Sequence, residues 1–380
     1  MRPDVLIAGA GPAGSVAALI LARAGLRVRL LDRADFPRRK LCGDSLNPGA
    51  LAVLRRLGLA DAVSRRALPM RGMIVTGPGG VQVRGAYPPG VTGLAVARSD
   101  LDATLLQQAV EAGAAFEPGV SVGGPVLNRR GRVIGVSVRS GRGGGVRELG
   151  APLTIAADGR RSALAFALGL ARHPASPRRW AIGGYFDRGA SDPAFGEMHI
   201  RRGLYFGVAP LPGGLTNACL VVPRPRRGAL ADPAGLLVST LRNDVLAGPR
   251  FAGARMVIGP AVLGPLALDV RRPGVEGLML AGDAAGFIDP MTGDGLRFAF
   301  RGAELAAGAA LEALGGGAHD PARVLLARRR RAFGSKLRVN RALRRVVSSG
   351  PAVSAVEAAA RVYPAGIRRL ITLAADISAE

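Results

Sequence analysis

The sequence predicts an α/β protein with a parallel sheet flanked by helices, a second and mostly β domain, and a helical C-terminal segment. Three observations support this fold class. The N-terminus reads as strand, glycine-rich loop, helix and strand; two later strands end in Asp-Gly and Gly-Asp; and residues 178–268 contain strand-like pieces without such loops. With 380 residues, the chain also exceeds the usual size of a single core, so we expect two packed domains.

The first unit is typical of a Rossmann-like nucleotide-binding fold. Residues 4–8 form an apolar strand, and Gly9, Gly11 and Gly14 fit the G-x-G-x-x-G spacing that opens a helix. These glycines allow a tight turn, close approach of a pyrophosphate and close helix–strand packing, and Asp32 can accept hydrogen bonds from a ribose diol. The nucleotide-binding residues predicted from this unit are Gly9, Gly11, Pro12, Ala13, Gly14, Asp32 and Arg33.

Two later strand ends extend the predicted ligand site across the sheet. One strand ends in Asp158-Gly159, and another ends in Gly282-Asp283 before a P-x-x-G-x-G loop leads into a helix near Leu296. Three acidic or glycine-rich strand ends suit an elongated dinucleotide. The residues predicted to bind it here are Asp158, Gly159, Gly282, Asp283, Pro290, Gly293 and Gly295.

These motifs, in this order, resemble the p-hydroxybenzoate-hydroxylase-type flavoproteins, also called class A flavin monooxygenases. The resemblance covers residues 1 to about 315 and implies FAD, with Asp283 holding the ribityl chain and the Gly293–Gly295 loop facing the flavin pyrimidine edge. A helix N-terminus at Leu296 would place partial positive charge near reduced flavin. The stretch "VARSDLDATLLQQA" matches the family's middle helix, so Arg98 is expected to touch the cofactor; the alternative is a charge that merely flanks the helix.

Cys42, one of two cysteines, lies in "FPRRKLCGDSLNPGALAVLRRLG", which looks like the geranylgeranyl reductase branch of that superfamily. The resemblance places Cys42 and Gly43 over the flavin or beside the substrate. Cys42 could donate a proton to a carbanion formed by hydride transfer. It could equally be a small, polarisable filler.

The predicted substrate sheet contains "GLYFGVAPLPGG", where the reductase branch tends to have Tyr-x-Trp-x-Phe-Pro. Tyr205 and Pro210 remain, and Tyr205 is a second catalytic candidate, but Gly207 and Ala209 replace the two large aromatic residues. The small residues either open room for a wider substrate or relieve packing. We expect flavin hydride transfer to a C=C bond of a hydrophobic, isoprenoid- or polyketide-like molecule. The alternative is NAD(P)H- and O₂-dependent hydroxylation of an aromatic or polyketide substrate.

Domain boundaries follow from these motifs. The predicted FAD-binding domain is discontinuous (1–70, 98–175 and 269–315), the substrate-binding sheet domain comprises 71–97 and 176–268, and the helical C-terminal segment is 316–380. Since the chain carries one dinucleotide motif, NAD(P)H is expected to bind transiently as electron donor, or a separate reductase supplies the electrons.

Composition restricts the partners. The net charge of +25 comes almost entirely from scattered arginines, and aromatic residues are only 4%, so nucleic-acid binding is disfavoured. Two distant cysteines suit a reducing cytoplasm, and three histidines without ligand spacing predict no metal site. An alternative of another class, a basic surface-binding protein with a vestigial flavin site, rests on the charge alone.

The basic stretch 325–347 predicts an amphipathic helix. Such a helix can pack its apolar side on the domain, the interpretation that we favour, or lie on an anionic membrane. We therefore expect a cytoplasmic protein with the option of peripheral membrane contact through residues 325–347. The apolar N-terminal run carries nucleotide-loop spacing, so it is interpreted as neither a signal peptide nor a membrane span.

Overall fold

The computed structural model describes residues 2–141, 144–223, 231–317 and 320–375. Parts of the predicted domains, at 1, 142–143, 224–230, 318–319 and 376–380, lie outside the described residues. The strands, in chain order, are β1 (Val5–Ala8), β2 (Val28–Leu31), β3 (Ser45–Leu46), β4 (Leu68–Met70), β5 (Gly72–Thr76), β6 (Gln82–Ala86), β7 (Gly93–Ala95), β8 (Ala115–Glu117), β9 (Val120–Leu127), β10 (Val133–Ser140), β11 (Val146–Gly150), β12 (Leu153–Ala156), β13 (Ala171–Arg172), β14 (Arg179–Phe186), β15 (Phe195–Ile200), β16 (Tyr205–Pro210), β17 (Thr216–Pro223), β18 (Met256–Leu263), β19 (Asp269–Val270), β20 (Gly274–Val275) and β21 (Leu278–Leu280). The helices are α1 (Pro12–Arg23), α2 (Pro48–Arg56), α3 (Ala60–Ser64), α4 (Arg98–Glu111), α5 (Ala163–Ala167), α6 (Pro233–Arg242), α7 (Gly248–Phe251), α8 (Gly295–Leu314), α9 (Pro321–Val347), α10 (Gly350–Val362) and α11 (Pro364–Ala374).

A six-stranded sheet in the order β20-β21-β12-β1-β2-β8 carries the nucleotide motifs. Strands β21, β12, β1, β2 and β8 run parallel, and only β20 is antiparallel to its neighbour. All four residues of β1 are buried, as expected for a strand covered on both faces. Because the carboxyl ends of parallel strands meet at one edge, the loops after β1, β2, β12 and β21 converge there. The predicted α/β fold with a Rossmann-like parallel sheet is confirmed.

Helices α1, α4 and α8 cover one face of this sheet and share its largest apolar core. Small side chains on α1 let these helices approach closely, and Ala17, Ala303 and Ala306 are fully buried between them. The other face packs against the sheet β11-β10-β9. The parallel sheet therefore lies between two layers, which leaves its carboxyl edge as the open side.

A seven-stranded sheet in the order β18-β14-β17-β16-β15-β5-β6 forms the second layer of the molecule. Its strands come from two separated segments, because β5 pairs in parallel with β15 across more than a hundred residues of chain. Helices α6 and α7 bury Phe186, Phe206 and Phe251 against one side. The other side faces the carboxyl edge of the parallel sheet, where the two share a cavity. The exact domain boundaries remain a prediction.

The C-terminal segment is helical, as predicted. Helix α9 packs against α8, and its apolar residues Leu325, Phe333 and Val347 are buried. Phe333 meets Phe298 edge to face at 5.1 Å. The exposed positions of α9 are mainly arginines. The arrangement agrees with the favoured interpretation of residues 325–347, in which the apolar side of the helix packs on the domain. In the described ranges, we find no helix with both the length and the apolar character needed to span a bilayer.

Candidate flavin and substrate site

A continuous cavity of about 1030 Å³ runs from the carboxyl edge of the parallel sheet to the underside of the seven-stranded sheet. Every predicted site residue except Gly14 lines it: Gly9, Gly11, Pro12, Ala13, Asp32, Arg33, Cys42, Gly43, Arg98, Asp158, Gly159, Tyr205, Gly282, Asp283, Pro290, Gly293 and Gly295. The fold thus brings together residues that are up to 286 positions apart, from Gly9 to Gly295. Their individual roles remain predictions.

The glycines of the first loop are required by contact distances. A Cβ on Gly14 would lie 1.7 Å from the Gly9 carbonyl oxygen, and a Cβ on Gly9 would lie 2.6 Å from the Ala157 carbonyl oxygen. Gly9 also adopts φ +95°, which side chains disfavour. Around Gly11 a Cβ would meet only the Arg38 guanidinium at 3.2 Å, so its backbone stays open to a ligand. The loop therefore has the shape that an approaching pyrophosphate needs.

Asp32, at the end of β2, is held in position by the main chain. Its Oδ2 accepts from the Ala10 amide at 2.8 Å, and its Oδ1 accepts from the Ala34 amide at 2.9 Å. Each oxygen keeps a lone pair for a ribose hydroxyl. Arg38 Nη2 lies 3.9 Å from Asp32 Oδ2 and 3.5 Å from Asp102 Oδ2, and among the described residues its buried Nε has no hydrogen-bond partner. An orphaned cationic donor beside the glycine loop fits the phosphates of bound FAD.

The loops after β12 and β21 form the other two walls. Asp158 Oδ2 accepts from the Ala163 amide at 3.0 Å, whereas no group in the described part of the chain meets hydrogen-bond geometry at its buried Oδ1. The Ser162 hydroxyl lies beside this carboxyl, and burial raises its pKa. Gly282 adopts φ +60° and lies so close to α1 that a Cβ would be 2.8 Å from the Ala13 Cβ. This close approach places Asp283 in the cavity, with Arg160 Nε 3.6 Å from its Oδ2. The polar groups present fit an FAD molecule lying across all three loops.

The loop before α8 combines a turn with a helix start. Pro290–Thr292 is a 3₁₀ turn, Gly293 follows with φ +67°, and α8 begins at Gly295, one residue before the expected start. Asp294 is buried and accepts hydrogen bonds from the side-chain amides of Asn47 at 3.1 Å and Asn340 at 3.0 Å. These contacts fix the helix N-terminus at the place where the resemblance expects the flavin pyrimidine edge.

Arg98 is buried at the start of α4, and its contact with the cofactor stays a prediction. Its guanidinium donates two hydrogen bonds to the Asp102 carboxylate, at 2.8 and 2.9 Å. Such a bidentate pair fixes the orientation of the guanidinium. Arg98 contacts the Cys42 side chain and lines the cavity, which leaves it positioned beside both the thiol and the flavin site.

Cys42 lies on the cavity wall above a buried polar pair. The Asn217 side-chain amide donates to the Cys42 carbonyl oxygen at 3.1 Å and to Asp44 Oδ2 at 2.7 Å. Asp44 is fully buried with φ +51°, and burial raises its pKa to about 7. Burial also raises the pKa of the Cys42 thiol. The thiol therefore stays protonated at neutral pH, which suits a proton donor better than a nucleophile.

Tyr205 lines the cavity, but its hydroxyl is already engaged. It donates a hydrogen bond to Asp289 Oδ1, and Arg179 Nη1 lies 3.6 Å from Asp289 Oδ2. Burial raises the pKa of Tyr205 well above its usual value. The hydroxyl thus ties β16 to the loop before α8. This geometry favours a positioning role, and the predicted catalytic role of Tyr205 stays untested.

Beyond Cys42 the cavity becomes apolar. Its walls carry flexible and aliphatic side chains from the outer strands and the C-terminal helices, including Met70, Met73, Met198, Val353, Leu370 and Ile371. Gly207 and Ala209 of β16 also line it, and a Cβ on Gly207 would meet nothing closer than the Glu197 carbonyl oxygen at 3.7 Å. A Cβ at Gly207 would therefore make ordinary contacts without a clash, so relief of packing does not explain this glycine. A wide, adaptable and apolar compartment suits a lipophilic substrate.

Sequence reasoning missed several residues of the site. Arg38, Asp44 and Asn217 support the flavin loops and Cys42, and the helices α10 and α11 close the apolar compartment. Asp44 lies two residues after Cys42 in the same short motif, so the sequence could have indicated that Asp44 belongs to the site. No sequence pattern indicated Asn217, because its hydrogen-bond partners, Cys42 and Asp44, are more than 170 residues away in the chain.

Comparison with known proteins gives a consistent result. Residues 2–194 match a family described as an FAD binding domain. The menaquinone reductase of Mycobacterium tuberculosis is 34% identical over 321 residues, which is 80% of this chain and 75% of the relative. Digeranylgeranylglycerophospholipid reductase 2 of Methanothermobacter thermautotrophicus is 31% identical, covering 84% of this chain and 80% of that protein. The solved structure of a flavin-dependent brominase superposes with a TM-score of 0.84 at 20% identity, over 98% of this chain and 94% of that one; this likeness shows the fold alone.

Proposed function

Because the chain belongs to the FAD-binding-domain oxidoreductases of the p-hydroxybenzoate-hydroxylase superfamily, in its geranylgeranyl-reductase-like branch, we propose that it saturates C=C bonds of a lipophilic, isoprenoid-like molecule. The observation that carries the proposal is the apolar compartment that continues from the FAD loops past Cys42. The two named relatives are reductases whose names specify lipids with an isoprenoid part, which supports the same substrate class here.

The residues around Cys42 provide what a double-bond reduction needs from the protein. Bound and reduced FAD supplies the two-electron transfer. Saturation also needs a proton on the neighbouring carbon, and the Cys42 thiol holds one at the cavity wall. Donation leaves a thiolate, whose negative charge the adjacent Arg98 guanidinium stabilises until solvent returns the proton. Asp102 keeps Arg98 in place for this role.

The electron donor is the second part of the proposal. One dinucleotide-binding loop serves FAD, so NAD(P)H reduces it by transient contact or a separate reductase delivers the electrons. Anaerobic mixing of the FAD-loaded protein with NADH or NADPH distinguishes direct reduction from delivery by a separate reductase. Bleaching of the flavin absorbance within the turnover time supports direct reduction, and an unchanged spectrum supports a partner reductase.

The reductase proposal is tested anaerobically with dithionite-reduced protein and detergent-dispersed menaquinone or geranylgeranyl lipid. We expect the product mass to rise by one H₂ per saturated bond. A Cys42→Ala variant should retain FAD but lose about 10²-fold or more of the turnover, the usual range for a lost general acid. Cys219→Ala is the matched control, because this second thiol lines the same cavity and burial raises its pKa to about 12. Wild-type turnover in Cys42→Ala would remove the proton-donor role.

A second candidate is favoured by one observation, the small side chains that Gly207 and Ala209 place on the cavity wall. This width also admits an aromatic or polyketide ring for hydroxylation with NAD(P)H and O₂. The same assay run in air with ring substrates decides between the two. A product heavier by one oxygen atom, with no alkene reduction under anaerobic conditions, would replace the reductase proposal.

A further inference from the structure

The last two helices expose large apolar side chains in one region. Val356 on α10, Val362 and Tyr363 at the turn between the helices, and Leu370 and Leu373 on α11 are all exposed, with Val362 at 87% and Tyr363 at 67%. We call these five residues the C-terminal patch. Soluble proteins rarely expose such side chains together unless the surface contacts a partner or a membrane.

The patch surrounds an opening of the apolar compartment. Val356 and Leu370 are each exposed to solvent and also line the cavity. Buried neighbours on the same helices, Val353 and Ile371, continue the apolar wall inward, and Ile371 packs directly on Gly85 of β6. A lipophilic molecule could therefore pass from the surface to Cys42 along apolar side chains.

The chain segment that carries the patch, together with the end of α9 that precedes it, is strongly positive. Residues 338–375 contain seven arginines (338, 341, 344, 345, 361, 368 and 369) and one acidic residue, Glu357. Arg368 and Arg369 are exposed on α11, and within the described ranges neither forms an ion pair with a carboxylate. Tyr363 adds an aromatic ring with a polar end, the type of side chain that favours the level of lipid headgroups.

We propose that the C-terminal patch docks on an anionic lipid bilayer, so that the substrate enters the cavity from the membrane without crossing water. The patch supplies the apolar insertion and the surrounding arginines supply the attraction to anionic headgroups. A second copy of this chain fits less well, because a symmetric dimer would place two arginine-rich surfaces against each other. The proposal rests on the lipophilic substrate proposed above.

This surface differs from the stretch 325–347 named from the sequence. The apolar side of α9 is buried against α8, so that helix can offer a membrane mainly its arginines. Helices α10 and α11, in contrast, expose apolar side chains, and α11 adds the exposed Arg368 and Arg369. The membrane contact therefore belongs to residues 350–375 rather than to 325–347.

The test is co-sedimentation of the full FAD-loaded chain with vesicles of phosphatidylcholine alone or with about one third phosphatidylglycerol. We expect binding to the anionic vesicles that falls with salt. Replacing Arg368 and Arg369 by glutamate should weaken it by about 25-fold or more, taking roughly 5-fold per lost cation. Val362→Ser with Tyr363→Ser should weaken it by roughly 10-fold, with little dependence on salt.

The matched controls carry the same changes on another surface. Arg129→Glu with Arg130→Glu repeats the charge reversal at the exposed β9–β10 turn, and Val146→Ser with Val245→Ser repeats the loss of exposed apolar side chains. Equal binding of patch variants and controls would overturn the proposal, as would wild-type protein that stays in the supernatant. Dimers in sedimentation velocity that the patch variants dissociate would assign the patch to a second copy instead.

One further measurement separates this proposal from the reductase proposal. Patch variants should keep wild-type flavin absorbance and wild-type turnover of detergent-dispersed substrate, and lose turnover only of substrate held in vesicles. Vesicle binding without any alkene reduction would refute the reductase proposal and leave docking standing. Alkene reduction in detergent without vesicle binding would refute the docking proposal and leave the reductase proposal standing.

Discussion

Replacing Asp44 by asparagine should stabilise this protein, and the gain should grow as the pH rises. Asp44 is fully buried beneath Cys42, and burial raises the pKa of its carboxyl to about 7. Asparagine has the same shape, tolerates the left-handed φ of +51° and can still accept the Asn217 hydrogen bond. The substitution removes the titrating charge, but it also alters the hydrogen bonds of the carboxyl with Tyr185 and with the Arg98 backbone. The change of the difference with pH, rather than its size at a single pH, therefore carries the prediction.

The size of the effect follows from proton linkage. An aspartate in the unfolded chain titrates near about pH 3.9, so between that pH and about 7 the folded state keeps a proton that the unfolded state releases. This difference costs the wild type roughly 1.4 kcal/mol of unfolding free energy per pH unit. Over roughly three units the loss reaches about 4 kcal/mol and then stays constant. The Asp44→Asn variant does not lose this stability, because asparagine does not titrate.

The assay is denaturant unfolding of the FAD-loaded wild type and variant between about pH 4 and pH 8. The difference in unfolding free energy should be small at the acid end and largest above about pH 7. Asp4→Asn is a control of opposite sign, because the side chain of Arg27 (2.6 Å) lowers the pKa of Asp4 to about 2. Its loss of stability should develop between about pH 2 and about pH 4, and should stay nearly constant from there to about pH 8. A difference for Asp44→Asn that does not change with pH would refute the reasoning.

Three glycines give further predictions. Gly14→Ala should abolish FAD retention after gel filtration, since its Cβ would overlap the Gly9 carbonyl oxygen at 1.7 Å; retained yellow colour would contradict the loop assignment. Gly334→Ala, inside α9 with nothing within 4 Å of the new Cβ, should keep FAD and raise the unfolding free energy by about 0.5–1 kcal/mol, measured by thermal melting. Gly207→Trp should keep FAD but raise KM for wide ring substrates at least about 10-fold more than for acyclic isoprenoids, because it fills the open side of the cavity. An unchanged ratio of the two KM values would mean that Gly207 does not set the width.

The sequence by itself determined the cofactor and the architecture of its domain. The glycine spacing at Gly9, Gly11 and Gly14 is a local requirement, because each position must admit another backbone or a phosphate at short range. The sequence also predicted that the acidic residues at strand ends converge, because parallel strands bring Asp32, Asp158 and Asp283 to one edge of the sheet. Local backbone geometry and strand direction depend on residues that are close together in the chain, so short sequence motifs predict them.

Only the tertiary structure decided what surrounds the reactive end of the cavity. The Asp44–Asn217 pair spans 173 residues, the Tyr205–Asp289 hydrogen bond spans 84, and the wall formed by α10 and α11 lies more than 300 residues from Cys42. These contacts depend on which surfaces pack together, and no periodicity in the chain specifies the partner. Burial then fixes the chemistry, because removing water from Asp44 and Cys42 raises the pKa of both groups and keeps the thiol proton in place.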